Sequence, residues 1–367
     1  MGSNIVTQTF VENNFLRPSI ILNGGFNHWQ RGNSLNDTEL TTFTNYCADQ
    51  WRLTAPAGQQ FSVSRATDFV TSNARSHYCL SLTLSNATTS LSANTQFGLF
   101  QPIEGIYSRQ LLYSPVVFSG KVQTNCPGIY SAFISWVDTA SSNYYYCTVP
   151  VTLLGNSTEE TFTAIFPPCP STFTPQKGEV AGLKVGLILA GNTTTTSGIY
   201  TTCPAATETY AVSGQVNFFG SASNVLKASQ FTLNPGSSAK IYTVPSLDDE
   251  LYTLARYIER LRLSSYLVNL NANTASHVGS LTYAKKMTSS PSFIFTQLDD
   301  TKSSITNSSA VYHGASNTAF TLGTFAAAAR TTSTSSKFVF STTTTTPVGV
   351  DTGNINLDVL VFNNMTI

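Results

Sequence analysis

Charge is what this sequence has least of. Lys and Arg together number 19 and Asp and Glu 19, so 10% of the 367 residues are charged and the formal net charge is zero. An ordinary globular chain carries roughly 25%. A protein that grips nucleic acid needs a surplus of Lys and Arg against the phosphates, so nucleic acid is excluded as a partner. Electrostatic steering of a charged substrate lacks support for the same reason. The chain is nevertheless built to fold, because 41% of it is hydrophobic and 11% aromatic, enough to form real cores. Thr, Ser and Asn stand where charges would be. Few charges of either sign around a neutral balance favour association between copies.

Long apolar runs are also missing. A membrane helix needs about 18–20 apolar residues, and the longest candidate, Val180 to Ala190, is short and carries Lys184, so no membrane insertion is expected. The opening Met1-Gly2-Ser3-Asn4-Ile5-Val6 has neither the basic nor the apolar region of a secretory signal, and Val6 breaks the myristoylation pattern. Synthesis and folding in a cytosol are expected. The six cysteines (Cys47, Cys79, Cys126, Cys147, Cys169, Cys203) lie far apart with no Cys-x-x-Cys, and the four histidines are scattered. Buried free thiols are therefore expected, with no zinc site and no cofactor.

Catalytic signatures are scarce. There is no Gly-x-Ser-x-Gly elbow, and no histidine lies in a recognisable triad context. Gly24-Gly25 and Pro235-Gly236 read as turns rather than phosphate loops, since neither opens a helix. A glycosidase needs two nearby carboxylates, but Glu104, Asp138, Glu159, Glu160 and Glu208 are isolated or sit in turn-like text and read as structural or solvated. A non-enzymatic role is expected.

What is present is strand after strand. Val116–Gln123 and Ile129–Val137 are β-branched and aromatic runs on either side of Asn125-Cys126-Pro127-Gly128, which predicts a hairpin. Tyr144–Leu154, Glu160–Phe166, Val180–Leu189, Thr209–Phe219 and Val225–Leu233 continue the pattern, and Ile355, Leu357, Val359 and Val361 alternate near the end. No fixed-period repeat is present, so sandwiches or jelly rolls fit better than a solenoid or propeller. One segment differs. Leu251, Leu254, Ala255, Ile258 and Leu261 have helical spacing behind a Ser246/Asp249 capping box, with Arg256, Arg260 and Arg262 toward the far end. The expected fold is all-β, with two β-sandwich or jelly-roll domains and one amphipathic helix opening the second. The expected division is an N-terminal arm over 1–17, a jelly roll over 18–244 and a C-terminal β-sandwich over 245–367.

Aromatic surface offers the main candidate for binding. Tyr144-Tyr145-Tyr146 in a strand must send successive rings to opposite faces, so at least one should point away from its core. Such a ring suits a sugar or a protein partner; an intersubunit contact or an edge-strand position is the plainer reading.

Three segments point to a family. Asn23-Gly24-Gly25-Phe26-Asn27-His28-Trp29-Gln30-Arg31-Gly32, followed by Tyr46-Cys47-Ala48-Asp49-Gln50-Trp51-Arg52, resembles a pattern of bacteriophage tail-fibre and virion-surface proteins. Phe100-Gln101-Pro102-Ile103-Glu104-Gly105 is similar to their Gln-x-Ile-Glu segment. Gln230-Phe231-Thr232-Leu233-Asn234-Pro235-Gly236-Ser237 with Glu250-Leu251 and Arg256-Tyr257 resembles their strand end and following helix. Two positions depart from the pattern: Asn234 stands where a Glu is usual, and Gln50 where an Arg is common.

The resemblance implies a carbohydrate-binding-type jelly roll followed by a smaller β domain, usually in a trimeric virion appendage. The expected partners are further copies in a homotrimer, other virion structural proteins and host cell-surface polysaccharide, at the virion surface. The arm over 1–17 would serve virion attachment or trimer contact. Alternatives are a capsid decoration or head-fibre protein, or a polysaccharide-degrading tailspike. Trp29 and Trp51 read as sandwich anchors whose buried indole N–H groups need partners. Arg31 and Asp49 are candidates for a charge-assisted hydrogen bond pinning the entry loop, with Gln30 and Arg52 in the same structural element.

Overall fold

The computed structural model describes residues 19–42, 45–67, 76–92, 95–139, 143–191, 194–195, 199–204, 211–271, 274–282, 292–296, 310–312, 319–331, 335–343 and 354–362. The expected arm over 1–17 lies outside them. The chain divides into two compact units. One contains the described residues up to Trp29 together with Asn33–Leu247, and the other contains Gln30–Gly32 and Asp248–Asn364.

The first unit is a sandwich of two six-stranded antiparallel sheets. In chain order its strands are β1 (Ser34–Asn36), β2 (Arg52–Thr54), β3 (Phe61–Ala66), β4 (Cys79–Leu84), β5 (Gln96–Glu104), β6 (Val116–Thr124) and β7 (Gly128–Val137). There follow β8 (Asn143–Leu153), β9 (Glu160–Phe166), β10 (Ala181–Gly191), β11 (Thr194–Thr195), β12 (Ile199–Pro204), β13 (Ala211–Val212) and β14 (Val225–Pro235). One sheet runs β1-β3-β4-β14-β6-β9 and the other β12-β8-β7-β10-β5-β2, while β11 and β13 form a short parallel pair. A helix, α1 (Asp37–Thr42), follows β1, and α2 (Gly105–Ser108) follows β5.

Alternation within each strand explains the core. On β7, Tyr130, Ala132, Ile134 and Trp136 enter the main core, and on β10, Leu183, Val185, Leu187 and Leu189 do so. From the opposite sheet come Phe118, Phe162, Leu226, Phe231 and Leu233. A period of two with one buried face is what a sandwich requires.

The expected hairpin at Asn125–Gly128 is corrected by this topology. β6 pairs with β14 and β9, whereas β7 pairs with β8 and β10, so the segment carries the chain from one sheet to the other. Long-range hydrogen bonds hold it in place. Asn125 Oδ1 accepts from Val225 N at 2.9 Å, Asn125 Nδ2 donates to Ser223 O at 2.8 Å, and Tyr130 Oη donates to Cys126 O at 2.8 Å. Within the expected strand Thr209–Phe219, whose first two residues lie outside the described ones, Ala211–Val212 forms a short strand, Gln215 makes a single bridge to Ile129, and Phe218–Gly220 is a 3₁₀ turn.

The second unit opens with α3 (Leu247–Leu254) and continues as β15 (Ile258–Asn271), β16 (Thr274–Thr282), β17 (Ser292–Thr296), β18 (Ala310–Tyr312), β19 (Ala319–Thr331), β20 (Ser335–Thr343) and β21 (Asn354–Phe362). Among the described residues these form one antiparallel sheet ordered β17-β21-β15-β16-β20-β19-β18. The helix is shorter than its spacing predicts. It stops at Leu254, and Ile258 and Leu261 belong to β15, nine of whose residues pair in unbroken register with β21 from Ile258↔Phe362 to Tyr266↔Asn354. The text Arg260-Leu261-Arg262-Leu263 alternates with period two, and sheet pairing overrides the weak helical preference. The all-β class holds in both units.

Candidate functional site

The three family-like segments, far apart in sequence, meet at one point of the first unit. Asn23, fully buried with a left-handed φ of 52°, donates from Nδ2 to His28 O (2.8 Å) and Asp49 O (3.1 Å) and accepts from His28 N (3.0 Å). Trp51 Nε1 donates to Asn23 O at 3.0 Å, and Trp29 Nε1 donates to Phe26 O at 2.9 Å. Both indoles therefore have the partners that burial demands. The Gln101 side chain clamps Leu22 by accepting from its N–H (2.9 Å) and donating to its carbonyl (2.7 Å).

The third segment supplies the ring that closes the cluster. A register shift on β14 between Ser229 and Thr232, with Gln230 at φ 57°, turns Phe231 into the core. Its ring lies 5.2 Å from Trp51, 5.6 Å from Phe26, 5.4 Å from Phe118 and 5.5 Å from Phe162. Phe231 N donates to Gly24 O at 3.0 Å. A Cβ on Gly24 would stand 2.2 Å from Phe231 O, so glycine is required there by close backbone approach.

Gln30 and Arg31 belong to the second unit, where Gln30 Nε2 donates to Ile258 O at 3.2 Å. Arg31 and Asp49 are both buried. On β2, the Arg52 guanidinium stands 5.5 Å from the Tyr46 ring centroid. Trp29, Asp49 and Trp51 are likewise buried, and the segments read as the lock of a fold rather than a ligand surface.

The tyrosine triplet alternates as its strand requires, but no ring is exposed. Tyr145 enters the main core, while Tyr144 and Tyr146 lie on the other face in a second apolar cluster with Phe100, Phe133, Val137 and Ile188. Their exposures are 9% (Tyr144), 2% (Tyr145) and 3% (Tyr146). The exposed ring expected from the sequence is thus absent. Alternation fixes which face a ring takes, and on the far face Tyr144 and Tyr146 are buried among apolar side chains of the neighbouring strands. Burial pushes the Tyr145 hydroxyl up to about 12 and the Cys147 and Cys169 thiols up to about 11 and about 12, so both thiols are inert at neutral pH. Among the described residues no cluster of three or more metal-ligating side chains occurs, and no helix is long and apolar enough to cross a membrane.

An open cleft lies elsewhere, between α1 and the turn that joins β2 to β3. Its volume is about 520 Å³, within the ~300–1,000 Å³ range of small-molecule sites. One wall is α1, held by a reciprocal capping box in which Glu39 N donates to Asn36 Oδ1 (2.8 Å) and Asn36 N donates to Glu39 Oε2 (2.9 Å). The other wall is the Pro56–Gln60 turn, in which Gln59 N donates to Pro56 O at 3.1 Å and Gly58 takes φ 77°. Asn86 pins this turn from a distance. Its Nδ2 donates to Gly58 O (2.9 Å), and its Oδ1 accepts from Gln60 N (2.7 Å) and Gln59 Nε2 (2.6 Å). Leu40, Leu53 and Phe61 form an apolar floor, and Asp37, Thr41, Asn45 and Gln59 provide polar groups.

Gln59 is the unusual member. It is 2% exposed, and its Oε1 has no hydrogen-bond partner. The amide cannot simply be turned over, because Nε2 faces three oxygens: Asn86 O (2.8 Å), Asn86 Oδ1 (2.6 Å) and Gln60 O (3.2 Å). An orphaned buried acceptor costs about 1–3 kcal/mol. Nothing in the sequence marked Gln59. The capping box in Asn36-Asp37-Thr38-Glu39 was the available sign of a helix at this place.

No protein-family model and no curated protein matches the chain. Solved structures it is similar to include the CBM22-1 xylan-binding domain from Paenibacillus barcinonensis, 10% identical, covering 60% of this chain and 96% of that one with a TM-score of 0.31. The N-terminal cellulose-binding domain of a Cellulomonas fimi β-1,4-glucanase is 12% identical, with 52% and 90% covered and a TM-score of 0.26. Discoidin II of Dictyostelium discoideum is 11% identical, with 82% and 89% covered and a TM-score of 0.19.

Proposed function

We propose that this chain is a non-enzymatic attachment protein of a bacteriophage particle, whose sandwich unit binds neutral glycans of the host surface. The observation that carries this reading is the cleft between α1 and the Pro56–Gln60 turn, with its apolar floor and polar walls. That combination suits a sugar, which offers an apolar C–H face and hydroxyls together. The scarcity of charge supports it, since 10% charged residues leave a surface able to meet uncharged partners and neighbouring copies without burying ions, which costs several kcal/mol for each. The resemblance of the three converging segments to virion-surface proteins supplies the particle and the homotrimer.

The test combines two measurements on the full chain. Sedimentation with host envelope polysaccharide is expected to carry the protein down without shortening the polymer. Antibody labelling of intact particles is expected to mark the virion surface. Depolymerisation would overturn the non-enzymatic reading, and failure to bind any envelope glycan would overturn the attachment reading.

A further inference from the structure

We infer that the exposed apolar face of α3 is where copies of this chain meet, with Leu247, Leu251 and Tyr252 of one copy packed against Ile241 and Val244 of the next. This inference rests on the homotrimer of the attachment reading and specifies its contact.

The first observation is how α3 is turned. Leu247, Leu251 and Tyr252 are 54%, 42% and 56% exposed, whereas Glu250 is 5% exposed and Thr253 and Leu254 are buried. A helix that completes the core of a monomer turns its leucines inward and its carboxylates outward. In α3 two of the three buried residues are polar, and two leucines and a tyrosine face solvent. Positions 247 and 251, one turn apart, share a stripe, and 248 and 252 form the stripe beside it, so the exposed face is continuous along the helix.

The second observation is concentration. Among the described residues eleven large apolar side chains are exposed, and five of them fall within positions 241–252. Scattered exposed apolar residues need no explanation, but a cluster of this kind marks an interaction surface.

The third observation identifies the occupant. Lys240 is the one cation between Lys227 and Arg256 and is exposed next to Ile241, while Asp248 and Asp249 are exposed on α3. Among the described residues none of these three forms an ion pair. In a threefold ring, helix against identical helix would set the Asp248 and Asp249 carboxylates of all copies at one level, where they repel. Helix against the 240–244 segment of the next copy instead brings Lys240 toward them. Such a contact joins two different patches, and a ring closes when every copy supplies both. The apolar groups supply the affinity, and the exposed charges decide which surfaces meet. A chain with 19 charges of each sign and no net charge offers little repulsion to such association.

The experiment is sedimentation velocity on the full chain over a concentration series, with far-UV circular dichroism to confirm folding. Leu251→Glu charges the helix face, and Ile241→Glu charges the facing segment, which belongs to no helix or strand and so keeps the test valid if the helix variant misfolds. Ile165→Glu is the control, at an exposed apolar side chain on β9. Lys240→Glu reverses the cation, and the same change combined with Asp248→Asn and Asp249→Asn removes the resulting repulsion. Sedimentation with host envelope polysaccharide runs in parallel.

The unaltered chain is expected to sediment as a trimer. Leu251→Glu and Ile241→Glu should each raise the concentration of half-dissociation at least about tenfold and yield a folded monomer. Ile165→Glu should leave the trimer intact. Lys240→Glu should weaken association at low salt, and the combined variant should recover it. A trimer undisturbed by both apolar-to-Glu variants would overturn the inference while leaving the attachment reading standing, as would dissociation by Ile165→Glu to the same extent. Full association of Lys240→Glu at low salt would overturn the pairing of patches. A monomeric unaltered chain would overturn the inference together with the homotrimer, the α3 face then serving a different virion protein. Absence of polysaccharide binding by the unaltered trimer would overturn the attachment reading and leave the contact standing.

Discussion

Trp51 and Asn23, 28 positions apart, are joined by one hydrogen bond: the indole Nε1 donates to the Asn23 carbonyl at 3.0 Å. The same carbonyl accepts from Phe26 N at 3.0 Å, and the Asn23 side chain reaches His28 and Asp49. One buried asparagine thus organises the entry turn, and the Trp51 ring carries that turn onto Phe231 of β14.

Replacing Asn23 should show how much this organisation is worth. Asn23→Ala removes three hydrogen bonds in a buried place and puts Ala at φ 52°, a conformation Asn tolerates better. A loss of about 2–4 kcal/mol is expected in equilibrium denaturation, where each buried group left unpaired costs about 1–3 kcal/mol. A loss below about 0.5 kcal/mol would show that the turn is held by other contacts.

Phe231 should be the costliest single truncation in the first unit. It touches four aromatic rings and is fully buried. Phe231→Ala is expected to cost about 3–5 kcal/mol. Gly24→Ala should destabilise through a different route, a clash with the Phe231 carbonyl, and the two effects should not add, because the sites share a contact.

Arg31→Ala is expected to lower the melting temperature, with a loss of about 1–3 kcal/mol from the packing of a side chain 5% exposed. Unchanged melting with loss of adsorption to host cells would instead make Arg31 a ligand contact.

Alkaline pH should destabilise the first unit. Burial raises the folded-state pKa of Cys147 from 9.0 to about 11, of Cys169 from 9.0 to about 12 and of Tyr145 from 10.0 to about 12, and it raises Tyr130 as well. These groups are kept neutral by folding, so their contribution is complete below the unfolded values near 9 to 10 and is lost as pH rises toward 11 to 12. Stability measured by denaturation should be flat with respect to these groups from neutral pH to about 9 and fall above it. A thiol reagent at neutral pH should modify half-buried Cys126 before Cys147 or Cys169.

Much of this architecture is legible in the sequence where one residue type has a single physical need. The indoles of Trp29 and Trp51 need acceptors and have them, and the strand Tyr144-Tyr145-Tyr146 alternates as expected. What gathers on the outer face is another matter: Phe100, Phe133, Val137 and Ile188 come from three other strands of the same sheet, and no local pattern announces that they lie beside Tyr144 and Tyr146. The turn at Asn125–Gly128 reads locally as a hairpin because its chemistry is that of any tight turn. Only the pairing of β6 with β14 shows that it crosses between sheets. The cleft was hidden for a similar reason. Its walls are close in sequence, but the residue that fixes Gln59 is Asn86, whose role depends on tertiary contact.

The most direct test of the central claim is retention of the full chain on immobilised host envelope polysaccharide at low and high ionic strength. Recognition of a neutral glycan by a cleft with no Lys, Arg or His in its lining, on a chain with zero net charge, predicts retention that changes less than about twofold when salt is raised tenfold, since screening acts on exposed charges. No retention at either salt, or retention abolished at high salt, would contradict it.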